Sequence, residues 1–99
     1  MFKKADTKFV KVAKKRVVFN FKAPETVHEV KLCGNFSNWE QGALIMNKGR
    51  GGEWKAQVSL EPGEYEYKFW ADGVWYNDPK ADRQTSNIWG SENSIKVVK

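Results

Sequence analysis

Cysteine, histidine and proline are scarce in this 99-residue sequence, and long apolar runs are missing from it altogether. One cysteine, Cys33, excludes an internal disulfide. One histidine and one cysteine leave a structural zinc site short of ligands, so no metal is expected. Nucleophile–histidine–acid catalysis would rest on His28 alone, with no motif around it. A glycosidase needs two carboxylates across the bond it cleaves. The 12 acidic residues contain no pair marked out by spacing. Gly49–Gly52 lacks the Lys-Ser/Thr that would make a glycine-rich stretch a phosphate cradle. These absences point to a non-catalytic chain without a cofactor. No run approaches the ~20 apolar residues that span a bilayer, so no membrane is expected as a partner. The basic N-terminal stretch lacks the apolar segment of a signal peptide. With the lone thiol, that suggests a cytoplasmic location.

The sequence is rich in tryptophan, with five, alongside three tyrosines. A chain of this length makes one domain, which buries roughly 60–70% of its unfolded surface. Core packing alone accounts for one or two indoles, and the others are candidates for work at the surface. Charge is uneven. Residues 1–16 carry Lys3, Lys4, Lys8, Lys11, Lys14, Lys15 and Arg16 against Asp6, about +6 of a net +5. The remainder is therefore about −1, and the basic character belongs to a tail. We divide the chain into a basic tail, residues 1–14, and a folded module, residues 15–99.

The module reads as strands. Val17, Phe19, Phe21 and Ala23 alternate with Val18, Asn20 and Lys22 until Pro24. Val30 and Leu32 make a short strand ending at Gly34. Trp54, Ala56, Val58 and Leu60 alternate with Lys55, Gln57 and Ser59, so one face points inward and one to water. Pro62-Gly63 turns the chain into the Tyr65, Tyr67, Phe69, Ala71 alternation, and Ile95 and Val97 supply a last strand. Gly49–Gly52 and Asp78–Asn87 read as loops. No segment shows a capped 3.6-residue apolar period. The fold class is all-β, an antiparallel sandwich.

Asp72-Gly73 is the most informative dipeptide. Between two strand-like runs it favours a two-residue type I′ turn, because glycine accepts positive φ without strain. The register follows: Ala71 faces Val74, Trp70 faces Trp75, Phe69 faces Tyr76 and Lys68 faces Asn77. Directly paired residues share a sheet face. Phe69, Ala71, Val74 and Tyr76 then form the core side. Lys68, Trp70, Trp75 and Asn77 form the other. Two indoles, a cation and an amide suit a ligand that is polar at its rim and apolar on its faces, which describes a sugar ring. The alternative is that the N-terminal tail covers Trp70 and Trp75.

The stretches VVFNFKAPE, VKLCGNFSNWE, GEWKAQVSLEPGEYEYKFWADGVWYNDP and NIWGSENSIKV, spanning about Arg16 to Val98, resemble the family 48 carbohydrate-binding module. That family includes the glycogen-binding domain of the AMP-activated kinase β subunit and the N-terminal domains of isoamylases and glycogen branching enzymes. The resemblance implies an immunoglobulin-like β-sandwich that binds α-1,4-linked glucans such as glycogen, starch and maltooligosaccharides. It implies that Trp39 and Trp75 stack on glucose rings and that Lys68 bonds hydroxyls. In the late loop Ile88-Trp89-Gly90-Ser91-Glu92-Asn93, Trp89 stands where the family has a leucine that enters the curve of the glucan. Ser91 stands for a threonine, and Asn93 keeps the amide. Members attached to enzymes also serve as packing units.

Trp54, on an apolar face, is expected in the core. Phe36 is expected to be the buried anchor of the loop that displays Trp39. Trp70 either widens the platform or meets the tail. Cys33, opposite the Val30/Leu32 face, is expected to be a partly covered free thiol. The carbohydrate-binding candidates are thus Trp39, Lys68, Trp70, Trp75, Trp89, Ser91 and Asn93. The competing reading is a protein-interaction module packed against a glucan-metabolising enzyme or kinase. Nucleic-acid binding is disfavoured, because the folded body is nearly neutral and its aromatics lie away from the positive charge.

Overall fold

The computed structural model describes residues 13–99, all but two of the 15–99 module's preceding tail residues lying outside it. The described residues form nine strands: β1 (Lys15–Lys22), β2 (Val30–Gly34), β3 (Leu44–Ile45), β4 (Asn47–Lys48), β5 (Glu53–Leu60), β6 (Gly63–Ala71), β7 (Val74–Tyr76), β8 (Arg83–Ser86) and β9 (Glu92–Val98). A 3-10 turn, Arg50–Gly52, precedes β5. Every pairing is antiparallel. One sheet has the order β1-β5-β4. The other has the order β3-β2-β6-β9-β8, with β7 also on β6. The two pack as a sandwich.

The inward faces expected of β1, β2, β5 and β6 meet in one core of Phe19, Phe21, Val30, Leu32, Trp54, Ala56, Leu60, Tyr67, Phe69 and Ala71; β9 adds Val98, not the Ile95 and Val97 that mark that strand in the sequence. Trp54 is 4% exposed, as its alternation required. Aromatic contacts join the sheets. Phe19 meets Tyr67 edge-on at 4.9 Å between ring centroids, and Phe21 meets Phe69 at 4.7 Å. Such pairs add about 0.5–1.5 kcal/mol each beyond area burial. Met46 lies between β3 and β4, where the chain passes from one sheet to the other, and its side chain is buried. Its amide donates to the Val30 carbonyl at 2.9 Å, so the crossing leaves no unpaired donor there.

Two expectations need correction. The Asp78–Asn87 stretch contains β8, paired with β9 from Arg83↔Ile95 to Ser86↔Glu92. Arg-Gln-Thr-Ser has no apolar alternation because β8 is an edge strand whose side chains face mostly water. Val74 and Tyr76, expected in the core, are 50% and 38% exposed. Tyr76 still touches Phe21 at 5.3 Å, so the opposite sheet covers the base of the β6–β7 hairpin and not its tip.

Tyr67 is fully buried, and its hydroxyl donates to Asp78 Oδ2 at 2.7 Å. Burial first, and this bond second, push its pKa well above the usual tyrosine range. The Asp78 amide donates to Ser94 Oγ (2.8 Å), Ser94 Oγ donates to Gln84 Oε1 (3.1 Å), and Gln84 Nε2 returns a bond to the Asp78 carbonyl (3.0 Å). The Lys80 amide completes the carboxylate's partners at 2.9 Å. Tyr67→Phe removes one donor from a buried carboxylate while keeping the ring. It should lower unfolding stability by about 1–3 kcal/mol, read by chemical denaturation. No change would mean that Asp78 is satisfied without the tyrosine.

Candidate functional site

The even-numbered side chains of β6 point away from the core, and their partners place them among neighbours. Lys31 of β2 pairs with Trp70, and Cys33 pairs with Lys68. Trp70 pairs in turn with Trp75 of β7. The hairpin register is therefore the one the Asp-Gly dipeptide required for its three pairs nearest the turn; the ladder stops at Tyr76, one pair short of Asn77. Asp72 and Gly73 have φ of 45° and 91°, the two positive values of a type I′ turn.

Asp72 also ties the hairpin down. Its carboxylate accepts the amides of His28 and Glu29, both at 2.9 Å, and its own amide donates to the Glu29 carbonyl at 3.1 Å. These amide bonds, led by that of His28, hold its pKa below the usual carboxylate value. Trp75 stands 39% exposed beyond this anchored turn. Trp70 is half-buried, with the Lys31 ammonium 5.0 Å from its ring centroid. Cys33 is not partly covered as expected: it is 1% exposed, and burial raises its thiol pKa, which favours the unreactive form.

Trp39 is half-buried in the loop that follows β2. Phe36 anchors that loop as expected, stacked on Phe19 at 5.7 Å and edge-on to Tyr65 at 6.1 Å. The amides of Ser37 and Trp39 both donate to the Gly34 carbonyl. Asn38 and Trp39 have φ of 66° and 51°, so Trp39 is held in a left-handed conformation rare for a bulky residue.

On the other side of β6, the β8–β9 loop presents Ile88 and Trp89, 87% and 81% exposed. Sequence reasoning missed the residue that shapes this loop, Asn87. Its Oδ1 accepts the amides of Trp89 (3.0 Å) and Ser91 (3.1 Å), and its Nδ2 donates to Ser91 Oγ (2.8 Å) and Asn93 Oδ1 (3.0 Å). The available signal was an asparagine three residues before a glycine, the pattern of a side chain bonding its own turn. Gly90, at φ 82°, closes that turn. Lys68 Nζ donates to Ser91 Oγ at 3.3 Å, and Asn93 Nδ2 donates to Glu66 Oε1 at 3.0 Å. Lys68, Ser91 and Asn93 are thus one network with Asn87 and Glu66. Asn93 is only 7% exposed. Trp39 and Trp89 come from the loops that follow β2 and β8, the strands on opposite flanks of this network.

The face can stack aliphatic C–H groups on indoles and bond hydroxyls from Lys68 and Ser91, while the Asn87 amide is fully used in holding the loop. A shallow depression of about 310 Å³ lies elsewhere, on the outer face of the other sheet among Val18, Asn47, Lys55, Ala56 and Gln57. It contains none of the tryptophans. Among the described residues, no group of three or more His, Cys, Asp or Glu side chains is placed to hold a metal ion. No helix among them is long and apolar enough to cross a membrane.

Residues 16–99 match the family model described as the glycogen recognition site of AMP-activated protein kinase. The chain is 37% identical over 71 residues to 5′-AMP-activated protein kinase subunit beta-1 of Rattus norvegicus, covering 72% of this chain and 25% of that protein. It is 39% identical over 70 residues to the chloroplastic protein FLOURY ENDOSPERM 6 of Oryza sativa subsp. japonica, covering 71% and 13%. It is 36% identical over 75 residues to the chloroplastic PTST homolog 2 of Arabidopsis thaliana, covering 76% and 14%. The matched region spans a quarter or less of each of these relatives.

Two predictions follow from the loop anchors. Asn87→Ala frees the Trp89 and Ser91 amides, so their hydrogen exchange should accelerate by about tenfold or more while the β6 amides stay protected. Unchanged exchange would show that the loop holds its shape without Asn87. Because the Asp72 pKa is lowered on folding, its contribution is complete above its ordinary value of about 3.8 and is lost as pH falls through the lowered one. The stability gap between the parent and Asp72→Asn should therefore be constant near neutral pH and shrink in thermal melts as pH falls below about 4. A gap that is constant with pH would show that the charge is not what anchors the turn.

Proposed function

We propose that this chain, which belongs to the family of the glycogen recognition site of AMP-activated protein kinase, holds α-1,4-linked glucan chains on the outer face of its six-stranded sheet. Glycogen, starch and maltooligosaccharides are the candidate ligands. The observation that carries the reading is the pairing of Trp70 with Trp75 beside a network of Lys68, Ser91, Asn87 and Asn93, all away from the core. Trp75, Trp39 and Trp89 supply stacking rings. Lys68, Ser91 and Asn93 supply or organise the hydroxyl partners, and Trp70 backs the platform.

The chain holds glucan and does not cleave or extend it. Glu66, the carboxylate within the network, is already bonded to Asn93 and serves to hold that amide. The buried free thiol of Cys33 suits a reducing compartment such as the cytoplasm. A kinase or glucan-active enzyme is the natural companion, since one group of relatives is named as kinase subunits. Residues 1–14 act as a basic tail that the sugar site does not need; residues 1–12 of it, and with them any cover over Trp70 and Trp75, lie outside the described residues.

Binding should be weak. A stacked indole buries on the order of 100 Å² of apolar surface, roughly 2.5 kcal/mol gross. Two or three rings give roughly 5–8 kcal/mol. Each hydroxyl bond adds about 1 kcal/mol, because the hydroxyl was already bonded to water. Association costs at least ~4 kcal/mol. The surplus corresponds to dissociation constants of roughly micromolar to millimolar. Calorimetric titration with maltoheptaose and β-cyclodextrin tests this. Trp75→Ala should weaken binding by about tenfold or more, or about 1.4 kcal/mol. A folded Trp75→Ala variant with the parent's affinity, or a parent that binds neither sugar at millimolar concentration, would favour the packing-module reading instead.

A further inference from the structure

The register extends the candidate face beyond the residues considered so far. Ile45 of β3 pairs with Lys31 of β2, Lys31 pairs with Trp70 of β6, and Trp70 pairs with Trp75 of β7. Directly paired residues share a sheet face, so these four side chains form one row across four strands. At ~4.8 Å between strands, the row is about 14 Å long. It begins at the Trp75 platform and ends at β3, beyond which no strand lies among the described residues.

The row has a chemical gradient. Ile45 is 66% exposed. A lone exposed isoleucine needs no explanation; its position in line with two indoles and an amine is what gives this one meaning. Lys31 is half-buried, with its ammonium held over the Trp70 ring. That contact occupies the face of Trp70 nearest the amine. It also restrains a side chain that would otherwise be flexible, while an ammonium has three N–H donors to offer. Trp70 is therefore better placed to position Lys31 than to stack on a ring itself.

We propose that Ile45 and Lys31 form an extension subsite for α-glucan chains longer than those the Trp75 platform alone accommodates. Lys31 donates to sugar hydroxyls, Ile45 offers an apolar contact to the next ring, and Trp70 is the positioning residue beneath Lys31. This rests on the glucan reading of the site. It adds that chain length is sensed along the β3-β2-β6-β7 row, whose Ile45 and Lys31 end lies on the flank of β6 opposite the Lys68–Ser91 network's loop.

Titration of maltotriose and maltoheptaose into the parent, Lys31→Met, Ile45→Ser and Trp75→Ala variants tests it. Lys31→Met keeps side-chain length and contact with the indole but removes the donors. Lys31→Met and Ile45→Ser should bind maltotriose within about twofold of the parent and maltoheptaose about threefold to tenfold more weakly. Lys31→Arg, which keeps the charge and stacks on an indole, should recover most of the loss. Trp75→Ala should weaken both sugars. If Lys31→Met and Ile45→Ser keep the parent's full gain from maltotriose to maltoheptaose, the extension subsite is overturned while the Trp75 platform stands. A parent that binds neither sugar overturns the glucan reading and the subsite with it. Melting temperatures of the variants close to the parent's exclude misfolding as the cause, and both substituted positions face away from the core.

Discussion

Tyr67 holds the core and the site together. Its ring lies between Phe19 and Phe69, and its hydroxyl ends on the buried Asp78 carboxylate. A buried hydroxyl and a buried carboxylate are each costly without partners. The two satisfy each other, with the Lys80 amide as the carboxylate's second donor, while the backbone of Asp78 joins Ser94 and Gln84 in a closed ring of bonds. Gln84 belongs to β8 and Ser94 to β9, so the two strands flanking the Trp89 loop are tied to the residue that satisfies the core tyrosine. The loop's shape is then decided within its own few residues by Asn87. A short polar edge strand with little apolar surface of its own is thereby kept in register.

β6 carries the consequence to the other face. Its odd-numbered residues, Tyr65, Tyr67, Phe69 and Ala71, face the sandwich interior, and its even-numbered residues, Glu66, Lys68 and Trp70, carry the candidate site. A slip of one residue would exchange the two sets, burying a lysine and exposing a tyrosine and a phenylalanine. The core thus specifies the register of the site. The positive-φ turn at Asp72-Gly73 then carries that register into Trp75, with the Asp72 carboxylate clamping the turn to the segment before β2.

Strong alternation made β1, β2, β5, β6 and the Asp-Gly hairpin legible before any coordinates. So did the burial of Trp54 and the anchoring of Phe36. β3 and β4 were not legible, because two residues carry no period, and only the sheet change at buried Met46 reveals them. β8 was hidden by its polar sequence. Of the site, the Trp70–Trp75 pairing followed from turn chemistry. The Lys68–Ser91 bond joins residues 23 apart in sequence, and no local pattern announces it. Asn87 acts through four bonds to its own loop and neighbour, which composition cannot distinguish from any other turn asparagine. The depth of Cys33 depended on what covers the outer face, which strand alternation does not report.

The form of the face bears on the kind of ligand it suits. The tryptophans stand on a sheet and on two loops held by backbone bonds to Gly34 and by the Asn87 side chain. Among the described residues they line an open face, apart from the depression on the other sheet. An open face cannot bury most of a small molecule, so it gains little from a single sugar ring. It can gain repeatedly from a polymer, one stacked ring after another along a row set by strand spacing. Bonds within the chain itself hold the loops, which reduces the conformational entropy lost on contact with a ligand. Modest affinity per chain is then compatible with firm retention on a branched polymer, whose many nearby ends raise the effective concentration at the site. Weak contacts on a rigid open platform are the physical arrangement that favours a polysaccharide surface over a free monosaccharide.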